Sequence, residues 1–228
     1  MNLWIAYAAL GAGVLVWSLL VRKLRTRSWE TPGSREPLAE LRMAPAWTGL
    51  WVFLGVVTSL FSLFIAAYFM RMGYGHGAGH GISDWHSVAK PRILWFNTLT
   101  LLLSSATMQA ARTAVAGGLH RRRAQRVFIS GGVLALLFLS GQLIAWQQLS
   151  ASGYLASSSP AVAFFFVLTA VHGLHLLGGL WVWSKTLVRK FFRGVELQEL
   201  RLSVELCAVY WHYLLIVWLV LFGVLLAT

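Results

Sequence analysis

The stretch HGLHLLGG, residues 172–179, decides the fold because it places two histidines inside an apolar segment that covers residues 161–184. A segment of this length can cross a bilayer as one helix. Ionisable groups are costly at such depth, so they usually face the interior of a helix bundle. His172 and His175 are therefore expected either to form a functional site or to hold helices together.

The composition excludes a soluble globular domain. Of the 228 residues, 58% are hydrophobic and only 11% are charged, which is typical of a polytopic membrane protein. The net charge of +12 raises the possibility of nucleic-acid binding. The basic residues lie in short connections without an interleaved aromatic face, however, so no nucleic-acid partner is expected. The single cysteine, Cys207, lies in an apolar run and excludes an intramolecular disulfide.

Apolar runs predict an all-α membrane protein, a six-transmembrane-helix bundle in which one N-terminal helix precedes a five-helix block. The predicted domains are an N-terminal transmembrane helix at 1–22, a basic cytoplasmic linker at 23–45 and a five-helix domain at 46–228. The first helix is expected to be retained, because no cleavage site follows it. The six predicted spans cover residues 2–21, 46–70, 93–115, 127–149, 161–184 and 203–227.

The distribution of charge predicts the topology. Sixteen of the 19 Lys and Arg residues lie at or in the connections that follow the first, third and fifth spans. By the positive-inside rule these connections are cytoplasmic, so both termini are outside. The outside loop at 70–91 contains His76, His80 and His86 among glycines. We expect these histidines to be solvated and not to bind a metal.

Polar residues within the spans fall on shared helix faces. His172 and His175 share one face with Gly179, and Glu205 shares another with His212. Because their helices are antiparallel, His175 and His212 are predicted to lie at similar depth and to be able to face each other. Gly178 and Gly179 favour close packing of this helix pair. The third span has four polar residues along one side, namely Asn97, Thr100, Ser104 and Thr107. The fourth span contributes Gln142.

Three interpretations of these residues differ in chemistry. A polar seam would hydrogen-bond the helices to each other. A haem could be held by His172 or His175 with His212, but there is no second histidine pair for a two-haem arrangement. A proton path or transporter would need more buried charge than Glu205, the only acidic residue within a span. We favour the polar seam.

Five sequence blocks resemble subunit III of the haem-copper oxidases, the cytochrome c and quinol oxidase family. They occur in the order of the family and cover residues 46–228. The blocks are GLWVFLGVV…IAAYFMR (49–71), LWFNTLTLLLSSAT (94–107), FLSGQLIAW (138–146), FFFVLTAVHGLHLLGGL (164–180) and VELCAVYWHYLLIVW (204–218).

The resemblance implies a non-catalytic subunit III of a bacterial respiratory terminal oxidase. Such an oxidase reduces oxygen to water and couples this reaction to proton pumping. It implies that haem and copper are held by partner subunits I and II and that phospholipid is bound. It also implies that the chain lies in the cytoplasmic (inner) membrane, and it allows a supercomplex with a quinol-oxidising complex. No catalytic, cofactor-binding or metal residue is expected in this chain. The predicted polar seam consists of Asn97, Ser104, Gln142, His172, His175, Glu205, Trp211 and His212.

The chain departs from the family where carboxylates are usual, since it has Val57, Ala145 and Leu215 at those positions. This favours scaffolding and lipid packing over proton handling. Full-length members have two helices ahead of the five-helix block, whereas this chain has one. The alternatives that stay open are a nitric oxide reductase subunit III homologue, an independent membrane b-type cytochrome, and a small transporter.

Overall fold

The computed structural model describes residues 45–77, 92–117, 121–153, 159–192 and 197–227. Within these ranges all regular structure is helical, so the all-α prediction is confirmed for this part of the chain. The helices are α1 (Pro45–Gly77), α2 (Ile93–Ala116), α3 (Arg121–Ala151), α4 (Pro160–Thr186), which continues into a π-helical turn (Leu187–Phe192), and α5 (Leu197–Ala227). The predicted first span, 2–21, lies outside the described residues.

Four of the described helices are long and apolar enough to cross a membrane, which makes this a multi-pass membrane protein. The candidate spans are Ala46–Met72, Arg122–Ala151, Pro160–Arg189 and Leu200–Leu226. The remaining helix, α2, has 24 residues and a length of about 36 Å, but its amide and hydroxyl side chains make it less apolar. The predicted count of six spans is therefore only partly matched by the described helices.

The helices extend beyond the apolar runs from which they were predicted. α3 begins at Arg121 and α5 at Leu197, each six residues before the predicted span. Arginine side chains can lie along a helix end while their charged groups reach water, so a change from apolar to basic sequence does not end a helix. Pro160 begins α4, where proline is favoured at the first helical position, and the Ser159 hydroxyl accepts a hydrogen bond from the Val162 amide at 3.3 Å.

The chain divides into two compact units, residues 1–83 and 84–228. α1 belongs to the first unit. Within α1 the Thr58 and Ser59 hydroxyls donate to the carbonyls of Leu54 and Gly55, so both are satisfied inside their own helix. The predicted domain boundary at residues 45/46 stays a prediction.

The second unit contains α2–α5, which pack around an aromatic core. α2 lies between α3 and α5, and α4 packs mainly against α5. Trp218 is completely buried and contacts Phe138 edge to face, with ring centroids 4.8 Å apart, and it stacks on Phe222 at 6.3 Å. In a bilayer apolar contact alone gives little preference for one helix arrangement, so shape and hydrogen bonds determine the pairing of these helices.

Candidate functional site: the polar contacts between the helices

The Ser104 hydroxyl links three helices. It accepts a hydrogen bond from the Trp211 indole of α5 at 2.9 Å, and it donates one to the Gly131 carbonyl of α3 at 2.7 Å. Ser104 and Trp211 are almost completely buried. Both members of the predicted polar seam therefore lie at the centre of the α2–α3–α5 packing.

Two further tryptophans repeat this arrangement. The Trp218 indole donates to the Thr98 hydroxyl at 3.0 Å, and Thr98 donates to the Leu94 carbonyl of its own helix. The Trp146 indole donates to the Thr169 hydroxyl at 3.1 Å, and Thr169 donates to the Phe165 carbonyl. Each hydroxyl joins a neighbouring helix while its own proton stays satisfied, as a group buried in hydrocarbon requires.

A fourth tryptophan, Trp183 of α4, donates directly to a main-chain carbonyl, that of Phe128 in α3, at 2.9 Å. The two rings also stack, with centroids 6.1 Å apart. This contact joins the end of α4 to the beginning of α3.

His212 joins α5 to α2. Its Nδ1 lies 2.5 Å from the Ser105 hydroxyl, and its Nε2 lies 3.1 Å from Oε1 of Gln109. The carboxamide oxygen only accepts, so Nε2 carries the proton and Nδ1 accepts from Ser105. One neutral imidazole satisfies both contacts, which is a structural arrangement and not the geometry of a haem ligand, whose ring nitrogen must be available to iron.

The predicted pairing of His175 with His212 is wrong. The Tyr210 hydroxyl donates to the His175 main-chain carbonyl at 2.8 Å, so the Tyr210 side of α5 faces α4. His212 is two residues further along, which turns it by about 200° to the other side of the helix. The two histidines were predicted to be able to face each other because their positions along the two helices correspond. The rotation of α5 about its own axis instead directs His212 to α2.

His172 is fully buried in an aromatic environment. Its ring lies edge to face with Phe138, at a centroid distance of 5.8 Å, and 5.4 Å from the Trp218 ring. The next histidine, His175, donates from Nδ1 to the Val171 carbonyl at 2.8 Å. The two histidines of HGLH thus lie in different surroundings and do not form a shared ligand site.

The two glycines that follow also differ. A Cβ on Gly179 would come within 2.7 Å of the Tyr210 ring, so the absence of a side chain permits the close approach of α4 and α5. Nothing lies within 4 Å of the corresponding position on Gly178. The prediction of close packing is confirmed for Gly179 and is wrong for Gly178, which faces outward.

Asn97 and Gln142 are brought together in the interior between α2 and α3. The Asn97 amide nitrogen lies 3.4 Å from Oε1 of Gln142, and both side chains are buried. A Cβ on Gly141 would overlap the Asn97 side-chain oxygen. The glycine next to Gln142 therefore creates the space into which the asparagine fits.

Glu205 pairs with Arg112 near the ends of α5 and α2, at an N–O distance of 2.6 Å. The two side chains are 20% and 35% exposed, respectively. The only acidic residue predicted within a span is thus neutralised by a helix-end arginine.

Taken together, the described contacts engage the members of the polar seam chiefly in pairs between helices. Sequence reasoning missed Trp146, Trp183 and Trp218, together with the hydroxyl partners Thr98, Ser105 and Thr169. A tryptophan in an apolar helix resembles an ordinary core residue. A hydroxyl at matching depth on another helix could have indicated the bonds of Trp146 and Trp218, whereas Trp183 donates to a main-chain carbonyl, which has no signal in the sequence.

In the part of the chain that the structure describes, no three His, Cys, Asp or Glu side chains come together. The loop histidines His80 and His86 lie outside the described residues, and the side chain of His76 is not described either. The expectation that these three are solvated stays a prediction.

Comparison with known proteins agrees with the resemblance noted in the sequence. Residues 47–227 match the family model for cytochrome c oxidase subunit III. The cytochrome bo(3) ubiquinol oxidase subunit 3 of Pseudomonas putida is 28% identical over 184 residues, which cover 77% of this chain and 82% of the relative. The cytochrome c oxidase subunit 3 of Bacillus sp. (strain PS3) is 27% identical over 199 residues, covering 85% and 90%.

A third relative, the probable cytochrome c oxidase subunit 3 of Mycobacterium tuberculosis, is 32% identical over 129 residues, covering 56% of this chain and 62% of the relative. The relatives are named as oxidase subunits, so an independent b-type cytochrome or a nitric oxide reductase subunit is not favoured. The chain belongs to the cytochrome c oxidase subunit III family and is an accessory subunit of a respiratory haem-copper oxidase.

Proposed function

We propose that this chain packs against the catalytic subunit I of a terminal oxidase, with subunit II in the same complex, and serves there as a scaffold. The observation that carries the proposal is the Ser104 hydroxyl, which bonds Trp211 of one neighbouring helix and Gly131 of another. Buried polar groups used in this way fix the mutual rotation of helices. A bundle of fixed shape is what an accessory subunit must present to a larger partner.

The proposed role does not depend on the electron donor. One relative is named for ubiquinol and another for cytochrome c, so the role is one that oxidases with either donor share. Haem and copper would be held by the partner subunits. His212 supports this assignment of the cofactors to partner subunits, because both of its ring nitrogens are occupied by Ser105 and Gln109.

The proposed location is the bacterial inner membrane, with six spans and both termini outside. The helix ends that carry Arg122, Arg123, Lys185 and Arg189 would then lie on the cytoplasmic side. Exposed apolar side chains on the same helices, such as Leu174 at 66%, would contact lipid or partner subunits. Bound phospholipid is part of the proposal.

Affinity purification of the tagged full-length chain in a mild detergent, followed by mass spectrometry and haem spectroscopy, tests the proposal. We expect a large haem-bearing subunit and a copper-containing subunit to co-purify in a fixed ratio. Recovery of the chain alone, with a reduced-minus-oxidised haem spectrum of its own, would contradict it. The same preparation without the tag gives the background.

A further inference from the structure

The buried amides of Asn97 and Gln142 make only one of the two hydrogen bonds that a pair of primary amides can share. Nδ2 of Asn97 donates to Oε1 of Gln142 at 3.4 Å, which is longer than the usual range of roughly 2.7–3.2 Å. Oδ1 of Asn97 and Nε2 of Gln142 are enclosed, and neither has a hydrogen-bond partner among the residues that the structure describes. The pair therefore keeps one acceptor and one donor that no described group satisfies.

The packing of Asn97 against α3 explains why the second bond is not made. A Cβ on Gly141 would overlap Oδ1 of Asn97, so this oxygen lies directly against the α3 backbone and receives no hydrogen bond from Nε2 of Gln142. Turning both amides over would exchange oxygen and nitrogen and would again leave one donor and one acceptor. Turning only one would place like atoms together. The pair therefore needs a third polar group in either orientation.

The neighbouring contacts between helices do not have this need. The Ser104 hydroxyl accepts from Trp211 and donates to Gly131, and the Thr98 hydroxyl likewise accepts one bond and donates another. An amide N–H or C=O without a partner is costly in surroundings from which bulk water is excluded. Buried polar groups that protein atoms do not satisfy are commonly satisfied by an ordered water molecule.

Chemistry and burial select the third group. A cation would be repelled by the amide N–H of Gln142, and an anion by the carbonyl oxygen of Asn97. The exposed fractions of the two residues are 4% and 0%, respectively, so a side chain of a partner subunit does not reach them from the surface. Water is small, and it donates and accepts at once.

We propose that one ordered water molecule joins the two amides inside the membrane. It donates to Oδ1 of Asn97 and accepts from Nε2 of Gln142. Together with the direct bond between the amides, it closes a ring of three hydrogen bonds that links α2 to α3. The site lies within this chain and does not depend on the proposed function.

The test is cryo-electron microscopy of the complex purified with the full-length chain, at a resolution that shows ordered waters. We expect one density peak within roughly 2.7–3.2 Å of both Oδ1 of Asn97 and Nε2 of Gln142. Gln142→Met removes one of the two partners with a side chain of similar size and should abolish the peak, because a buried water needs at least two polar partners. Gln147→Met is the matched control, since Gln147 is exposed on the same helix, and it should keep the peak.

A wild-type map that resolves waters elsewhere in the complex but shows no peak between the amides would overturn the proposal. Amides joined by two direct bonds would also overturn it, as would a protein side chain bonded to either atom. A peak that persists in Gln142→Met would contradict the bridging position. The wild-type map decides alone if a variant does not assemble. Absence of a haem-bearing subunit from the same map contradicts the proposed function, which is a result separate from any of these.

Discussion

Trp211 of α5 and Ser104 of α2 are joined by an indole-to-hydroxyl hydrogen bond of 2.9 Å, and the same hydroxyl continues to the Gly131 carbonyl of α3. Removal of this one oxygen leaves the buried Trp211 indole N–H without its acceptor and removes the additional donor from the Gly131 carbonyl. The pair therefore offers a direct measure of how far polar contacts stabilise the bundle.

Ser104→Ala should lower the free energy of unfolding by about 1–3 kcal/mol, since two interhelical bonds are lost in a buried position. The measurement is the thermal unfolding of the purified complex in detergent. Ser140→Ala is the matched control, because Ser140 is exposed and bonds only the Leu136 carbonyl of its own helix. Equal melting temperatures for the two variants would show that the Ser104 link contributes nothing.

Gly141→Ala should destabilise the α2–α3 contact by about 1–3 kcal/mol because its methyl group would overlap the Asn97 side-chain oxygen. Asn97→Ala removes the obstructing group, so the double variant should lose less stability than the sum of the two single changes. Gly223→Ala is the control, since nothing lies within 4 Å of that position. Additive effects of Gly141→Ala and Asn97→Ala would argue against the contact.

The Arg112–Glu205 ion pair should respond to charge reversal. Arg112→Glu alone places two carboxylates together and should cost about 1 kcal/mol or less, because both side chains are partly exposed. Adding Glu205→Arg should restore most of the loss. Melting temperatures at low and high salt check this, and a double variant no more stable than Arg112→Glu would refute the pairing.

Much of the fold follows from the sequence because apolar length and loop charge are local properties. The positions of α2–α5 follow from apolar runs, and Ser159 and Pro160 mark the start of α4. Partner choice is different, since it depends on how each helix is rotated about its axis. His212 and Tyr210 differ by two residues yet face α2 and α4, respectively. The position of a residue along its helix does not show which of the two neighbouring helices its side chain faces.

The candidate site shows the same division. The sequence indicated that Asn97, Ser104 and His172 would be buried, because polar residues in a span avoid lipid, and all three are buried. It did not indicate the partners of Trp146, Trp183 and Trp218. An indole has one N–H group on a large apolar side chain, and the acceptor of that group lies on another helix, which only the three-dimensional structure shows.

His212 joins α5 to α2 inside the membrane, and we propose that the redox chemistry resides in neighbouring subunits. The most direct measurement compares haem content per catalytic subunit, and thermal stability, in complexes that carry wild-type chain or His212→Ala. Thr113→Ala, an exposed residue that bonds only its own helix, is the control. We expect the His212 variant to keep its full haem content and to melt at a lower temperature. Loss of a haem from an intact assembly would show that His212 is more than a contact between helices.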